Sequence, residues 1–264
     1  RSDQIEAIAD GAERLLETGA RVVAVEIDRD LCDILRHRLG EHERFTLIEG
    51  DVLAGKHALN PAVVDAISEW GRRSGVEAHR ADGEMGWHGR PSADSGPDRG
   101  APESEPVESP EFKLIANLPY NISSPLLAIL AADYPAMSTA IVMIQREVAD
   151  RITASPGGKE YGSLGVLIQA MCRVERIMTL PPGCFWPRPK IDSAVIRLTR
   201  RATPLSGDPA ALAALLQRLF TKRRKQVGSI LGRDATLPVG VDAQSRPEQL
   251  TVEQLVDLAR RFSC

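Results

Sequence analysis

The segment Arg21-Val-Val-Ala-Val-Glu-Ile27 constrains the fold of this chain more than any other. Its β-branched residues do not alternate with polar ones, so as a strand it has no wet face and must be covered on both sides. Before it, Ile5, Ile8, Ala9, Ala12, Leu15 and Leu16 recur at three- and four-residue spacing and predict a helix over 5–16, ended by Gly19. After it, Asp28-Arg29-Asp30 can cap a second helix, with Leu31, Ile34, Leu35 and Leu39 as its apolar stripe and Gly40 as its stop. Phe45-Thr-Leu-Ile48 reads as the next strand, closed by Glu49-Gly50-Asp51. Helices alternating with buried strands predict an α/β fold with a doubly wound sheet.

The chain has 264 residues, 43% of them apolar, enough for one large domain or two smaller ones. No stretch approaches the roughly 18 to 20 uninterrupted apolar residues needed to cross a bilayer. Asp3, Glu6 and Asp10 occupy the opening residues where a basic and then apolar leader would stand, so a cytoplasmic protein is expected. Cys32, Cys172, Cys184 and Cys264 are far apart, without a C-x-x-C pair or a histidine at zinc-finger spacing, which argues against a disulfide framework or a metal site. The five histidines lie in polar surroundings and read as surface residues.

Periodicity stops between Gly71 and Glu111, where seven glycines and five prolines surround isolated apolar residues. Such a segment cannot offset its own ordering entropy and reads as a disordered insertion. A buried-strand pattern resumes at Phe112-Lys-Leu-Ile-Ala116. Helices over 125–132, 147–154 and 164–172 follow, with strands over 139–145 and 195–198. Beyond Pro204 the pattern is all-helical, with one helix expected over 208–231 and another over 251–262. These expectations divide the chain into residues 1–203, the sheet domain, and 204–264, a small helical domain.

Charge is segregated along the chain. The formal net charge of −3 combines 15 Lys and Arg against 27 Asp and Glu in residues 1–150 with 18 against 9 in residues 151–264. A basic half on an acidic protein suits a polyanion partner, most often nucleic acid. Arg218, Lys222, Arg223, Arg224 and Lys225 crowd beside an apolar stripe of Leu212, Leu215, Leu216, Leu219, Val227, Ile230 and Leu231. On the expected helix one face packs and the other meets phosphate.

Open α/β sheets bind ligands at the carboxyl ends of their strands. Glu26 can accept both ribose hydroxyls of an adenosine-containing cofactor there, and Asp51 the adenine amino group, although strand-end acids also serve as ordinary turn caps. Asn117-Leu118-Pro119-Tyr120 is more specific. The N6 of adenine is a poor nucleophile because its lone pair is delocalised into the ring. An amide oxygen and a main-chain carbonyl, held side by side by the rigid proline, can accept both N6 hydrogens and direct the lone pair at a methyl group. Tyr120 can stack on a base removed from its helix.

Several separated stretches resemble the KsgA/RsmA-type ribosomal RNA adenine dimethyltransferases, which are themselves similar to the Erm resistance methyltransferases. Val23 to Asp30 and Glu49 to Asp51 are similar to two cofactor segments of that family, and Ile115 to Pro125 to its catalytic segment. Gln145 to Ala149 with Tyr161-Gly162 resembles the helix and loop that follow, Phe185 to Ser193 the late target-binding loop, and Phe220 to Leu231 the basic C-terminal helix. The resemblance implies a Rossmann-like methyltransferase sheet and S-adenosylmethionine as cofactor. Its product would be dimethyladenosine, made in small-subunit rRNA on the immature ribosomal particle by a monomer that needs no metal or membrane.

The roles it implies place Glu26 on the ribose and Asp51 on the cofactor adenine. Asn117 and the Leu118 carbonyl would hold the target N6, Tyr120 and Phe185 would sandwich the flipped base, and Arg223, Arg224 and Lys225 would meet RNA. Gly228-Ser229 stands where the family commonly has Arg-Asn.

One departure is large. The family opens with a strand and a G-x-G-x-G turn shortly before the Glu26 strand, whereas this chain offers only Gly11 and Gly19 there. The sheet is therefore expected to lack a middle strand, with unpaired backbone on two neighbours and much of the cofactor floor missing. This keeps two other readings open: an RNA-binding relative that holds no cofactor, and a methyltransferase acting on large-subunit rRNA or DNA. The leucine of Asn117-Leu118-Pro119-Tyr120 favours RNA, since Asn-Pro-Pro-Tyr is commoner in DNA adenine methyltransferases.

Overall fold

A computed structural model describes residues 2–55, 58–73, 111–186, 188–232 and 235–262. Most of the expected insertion over 71–111 lies outside these residues. The chain opens with α1 (Ser2–Glu17), a continuous helix that leads through the positive-φ turn residue Gly19 into β1 (Val22–Glu26). Asp28 caps α2 (Arg29–Leu39), its carboxylate accepting from the backbone N–H groups of Asp30 and Leu31. β2 (Phe45–Glu49) returns parallel to β1, and α3 (Pro61–Arg73) follows.

The second half supplies β3 (Phe112–Asn117), α4 (Ser123–Asp133), β4 (Met137–Gln145), α5 (Arg146–Thr153) and α6 (Ser163–Met171). After these come β5 (Cys172–Leu180) and β6 (Ser193–Arg200), then α7 (Pro209–Thr221), α8 (Val227–Leu231) and α9 (Val252–Phe262). β3 lies parallel to β4, β6 antiparallel to β4, and β5 antiparallel to β6, giving one sheet of order β3-β4-β6-β5.

The strands thus form two sheets. Among the described residues β1 pairs only with β2, and β3 only with β4, so each presents one edge without ladder bonds. This is the arrangement expected of a sheet that lacks a middle strand. Ile115 on β3 is 57% exposed and Ile27, just past β1, 65%.

The main core is continuous from the four-stranded sheet into the C-terminal helices. Val142, Ile144, Ile196 and Leu198 share it with Leu127 and Ile168, and with Leu212, Leu216, Leu255 and Leu258 beyond residue 203. Tyr161, fully buried, meets Phe220 edge-on at 6.2 Å and ties the loop before α6 to α7. Burial, with the Glu253 carboxylate second, pushes its phenol pKa up, so the ring stays neutral. Arg200 closes the far end of the sheet by donating to the carbonyls of Leu130, Ala131, Tyr134 and Met137, which satisfies the last turn of α4. The β1–β2 unit has a smaller cluster of its own, from Ala9, Leu16, Leu35, Leu39 and Phe45.

Three expectations need correction. The single helix over 208–231 is two helices: α7 ends at Thr221, residues 222–226 form a turn, and α8 restarts at Val227. Lys222 to Lys225 therefore sit on a turn rather than along a helix face. The helix expected to run to Cys172 stops at Met171, and that cysteine begins β5, a strand with no counterpart in the sequence reading. α3 likewise had none; Asn60 starts it, its side-chain oxygen accepting from the Ala62 N–H at 3.0 Å.

Candidate active site

Asn117 is the last residue of β3, and the ladder to β4 holds the turn that follows. The Leu118 N–H donates to the Met143 carbonyl at 3.0 Å while the Leu118 side chain is buried in the main core. Pro119 then turns the chain into α4, its carbonyl accepting from Ile122 and Ser123, each at 3.2 Å. Buried Ser123 donates to the Tyr120 carbonyl at 3.2 Å, which fixes the turn from inside. The result is two acceptors, the Asn117 side-chain amide and the Leu118 carbonyl, on consecutive residues of an anchored turn. Neither has a hydrogen-bond donor among the described residues. An exposed Asn amide and a carbonyl left out of the ladder suit a ligand that brings two N–H donors.

Tyr120 is 40% exposed, and its hydroxyl lies 3.4 Å from Oγ of buried Ser193 at the start of β6. Ser193 pairs with Gln145 on β4 and Leu180 on β5, so residues 181–192 leave the same end of the sheet as the Asn117 turn. The Arg146 backbone N–H donates to the Asp192 carbonyl at 3.0 Å and its guanidinium to the Asp192 carboxylate at 2.7 Å, which clamps this loop beside the end of β4. Phe185 sits in it, half-buried, after the short 3₁₀ turn Pro182–Cys184.

Glu26 and Asp51 stand together at the carboxyl end of the other sheet. Glu26 pairs in register with Glu49, and the Gly50 N–H donates to the Glu26 carbonyl at 2.8 Å. One carboxylate oxygen of Glu26 accepts from the Ile27 and Asp28 N–H groups at 2.8 and 2.9 Å. Asp51 does the same for Leu53 at 2.9 Å, and the Asn60 amide donates to the Asp51 carbonyl at 2.9 Å. Each acid shapes its own turn with one oxygen and has a second without a hydrogen-bond donor among the described residues.

These residues fit the adenosine half of S-adenosylmethionine: paired acids at strand ends accept hydroxyl and amino hydrogens, and exposed Ile27 is an apolar face for a purine. For the methionine half, no glycine-rich turn joins β1 to what precedes it; α1 runs there through Gly19 alone.

The basic cluster divides by partner. Arg218 donates to the Ile230 carbonyl at 3.0 Å, and Arg223 to the Lys159 carbonyl at 3.4 Å, with Glu248 at 3.9 Å. Those two hold α7 and its turn in place. Lys222, Arg224 and Lys225 are exposed and have no side-chain partner among the described residues. The sequence placed Arg146, Asp192 and Ser193 within stretches that resemble the family but gave none of them a role of its own, because their roles depend on contacts between distant strands.

A family model described as "Ribosomal RNA adenine dimethylase" matches residues 11–263. The chain is 36% identical to "Ribosomal RNA small subunit methyltransferase A" of Synechocystis over 259 residues, 93% of this chain and 77% of that protein. Its Pseudomonas aeruginosa namesake is 31% identical, with 95% and 79% covered. Among solved structures, a dimethyladenosine transferase from Plasmodium falciparum superposes with a TM-score of 0.61 at 19% identity, covering 92% of this chain and 82% of that one. The 23S rRNA methyltransferase ErmE does so with 0.56 at 20%, with the same coverage. The fold is thus the Rossmann-like one of rRNA methyltransferases, and the chain belongs to the ribosomal RNA adenine dimethylase family.

Proposed function

We propose that this chain transfers two methyl groups from S-adenosylmethionine to N6 of adenines in small-subunit rRNA. One observation carries the reading: the Asn117 amide and the Leu118 carbonyl sit on consecutive residues of an anchored turn at the carboxyl end of β3, without a hydrogen-bond donor among the described residues. A side-chain oxygen and a main-chain oxygen so placed accept the two N6 hydrogens and turn the nitrogen lone pair outward. Tyr120 stacks on one face of the flipped adenine and Phe185 covers the other. Glu26 holds the cofactor ribose and Asp51 the cofactor adenine.

When bound, the cofactor supplies a sulfonium methyl: N6 gains the carbon, sulfur keeps the bond pair as a thioether, and the N6 proton goes to water. No side chain need act as a base, because the methylated amino group is acidic. Positioning and exclusion of water by the two aromatic rings carry the rate. Lys222, Arg224 and Lys225 supply non-specific phosphate contact. Leu118 supports RNA over DNA as the substrate, and the relatives' names support the small subunit.

The test is a reaction of the purified chain with isotopically labelled S-adenosylmethionine and small-subunit rRNA, digested to nucleosides and read by mass spectrometry. Labelled dimethyladenosine is expected, and Asn117→Ala should give none. The open edges of β1 and β3 favour a second reading, an RNA-binding relative without transferase activity. RNA bound without label incorporated would select it.

A further inference from the structure

Trp186 is 80% exposed, an unusual place for the largest apolar side chain unless something covers it. Its loop is held at both ends: Leu180 pairs with Ser193, and the Asp192 carboxylate meets the Arg146 guanidinium at 2.7 Å. Four prolines stand among residues 181–192, so little freedom remains to be lost on binding. Phe185 is extended, with φ −126° and ψ 149°, and successive side chains of extended backbone point to opposite sides. Phe185 is half-buried and Trp186 faces outward. Two residues on, Arg188 is exposed, as is Lys190, and neither has an ion-pair partner among the described residues.

An aromatic plane flanked by exposed cations on a proline-rich loop is the composition that grips single-stranded nucleic acid. We infer that Trp186 is a second stacking residue for RNA: it takes an unpaired base neighbouring the target adenine, with Arg188 and Lys190 on the adjoining phosphates. The inference rests on the proposed action on RNA and adds a contact outside the adenine pocket. Trp186 lies in the loop that ends at Ser193, whose Oγ is 3.4 Å from the Tyr120 hydroxyl, so the loop and the Asn117 turn meet at one end of the sheet.

The experiment uses the full chain, a short adenine-containing single-stranded RNA and the duplex of the same sequence. The single strand should quench tryptophan emission in the unaltered chain, and the quenching should be mostly lost in Trp186→Phe, which leaves Trp70 and Trp87. By fluorescence anisotropy of labelled RNA, Trp186→Ala should bind the single strand on the order of tenfold more weakly, with Trp186→Phe between the two. S-adenosylmethionine binding by both variants should match the unaltered chain, which reports that they are folded. Single-strand affinity unchanged in Trp186→Ala, or equal quenching by duplex, would overturn the inference while leaving the methyltransferase reading in place. No RNA binding by the unaltered chain would overturn both.

Discussion

The two sheets of this protein carry the two halves of one proposed reaction on very different footings. β1 and β2 are half-buried strands: one face lies over a small cluster that includes Leu16, Leu35 and Phe45, and only Val25 and Ile48 reach the main core. β4 and β6 sit at the centre of the large core, with Val142, Ile144, Ile196 and Leu198 fully buried. Both units hold ion-paired arginines, but the cations proposed to meet RNA all lie in the second. In the first unit Arg36 is paired with Glu49 and Asp33, and Arg38 with Asp10 and Glu13. In the second, Arg188, Lys190, Lys222, Arg224 and Lys225 are unpaired among the described residues and exposed. The turn proposed to meet the target base is thus built on the larger core, while the acids proposed for the cofactor stand on a two-stranded ribbon, marginal by itself.

The sharpest way to break this comparison is Asn117→Ala. It should lower methyl transfer by about a thousandfold, the scale for removing a key positioning acceptor, while RNA binding by anisotropy stays within about twofold. Loss of both together would mean that the Asn117 turn supports the fold rather than the chemistry. Next in size, Ile196→Ala should cost about 3 kcal/mol in urea denaturation, against about 1 kcal/mol for Val23→Ala on the half-buried β1. Equal costs would mean that the ribbon is as firmly held as the main sheet.

Replacing Lys222, Arg224 and Lys225 with glutamine should weaken RNA binding by about tenfold at moderate salt and flatten the log–log salt slope by about two units. Arg223→Gln should change the slope less and stability more, because Arg223 already holds the Lys159 carbonyl. The smallest effect concerns Asp133 at the end of α4, exposed on its surface but partly desolvated, which pushes its carboxyl up. A raised pKa means that the fold prefers the protonated acid, so this contribution is present at low pH and lost as pH rises through the folded value. Asp133→Asn should therefore raise Tm slightly at neutral pH, and the gain should vanish below the ordinary carboxylate pKa.

What was legible in the sequence depended on distance along the chain. The β1 run, the Asp28 cap and the Asn117 to Tyr120 turn are local signals, and each lies where its pattern placed it. β5 was not legible because the alternation of Cys172-Arg-Val-Glu175 breaks at Arg176, where the register shifts before Met178, and only pairing with β6 makes it a strand. The break at 222–226 was hidden for the opposite reason: Leu219, Val227 and Ile230 all reach the core, so the apolar stripe crosses a turn that contains no glycine or proline. The split sheet was foreseeable from the missing segment before Glu26. The partners of Arg218 and Arg223 were not, since a carbonyl has no signature in sequence.

Methyl transfer by this chain requires that Glu26 and Asp51, without a glycine-rich turn beside them, still hold the methyl donor. Calorimetric titration of the folded chain with S-adenosylmethionine tests this directly. Micromolar binding, weakened at least tenfold by Glu26→Ala, is the predicted result; a folded chain that releases no heat and binds no cofactor would contradict it.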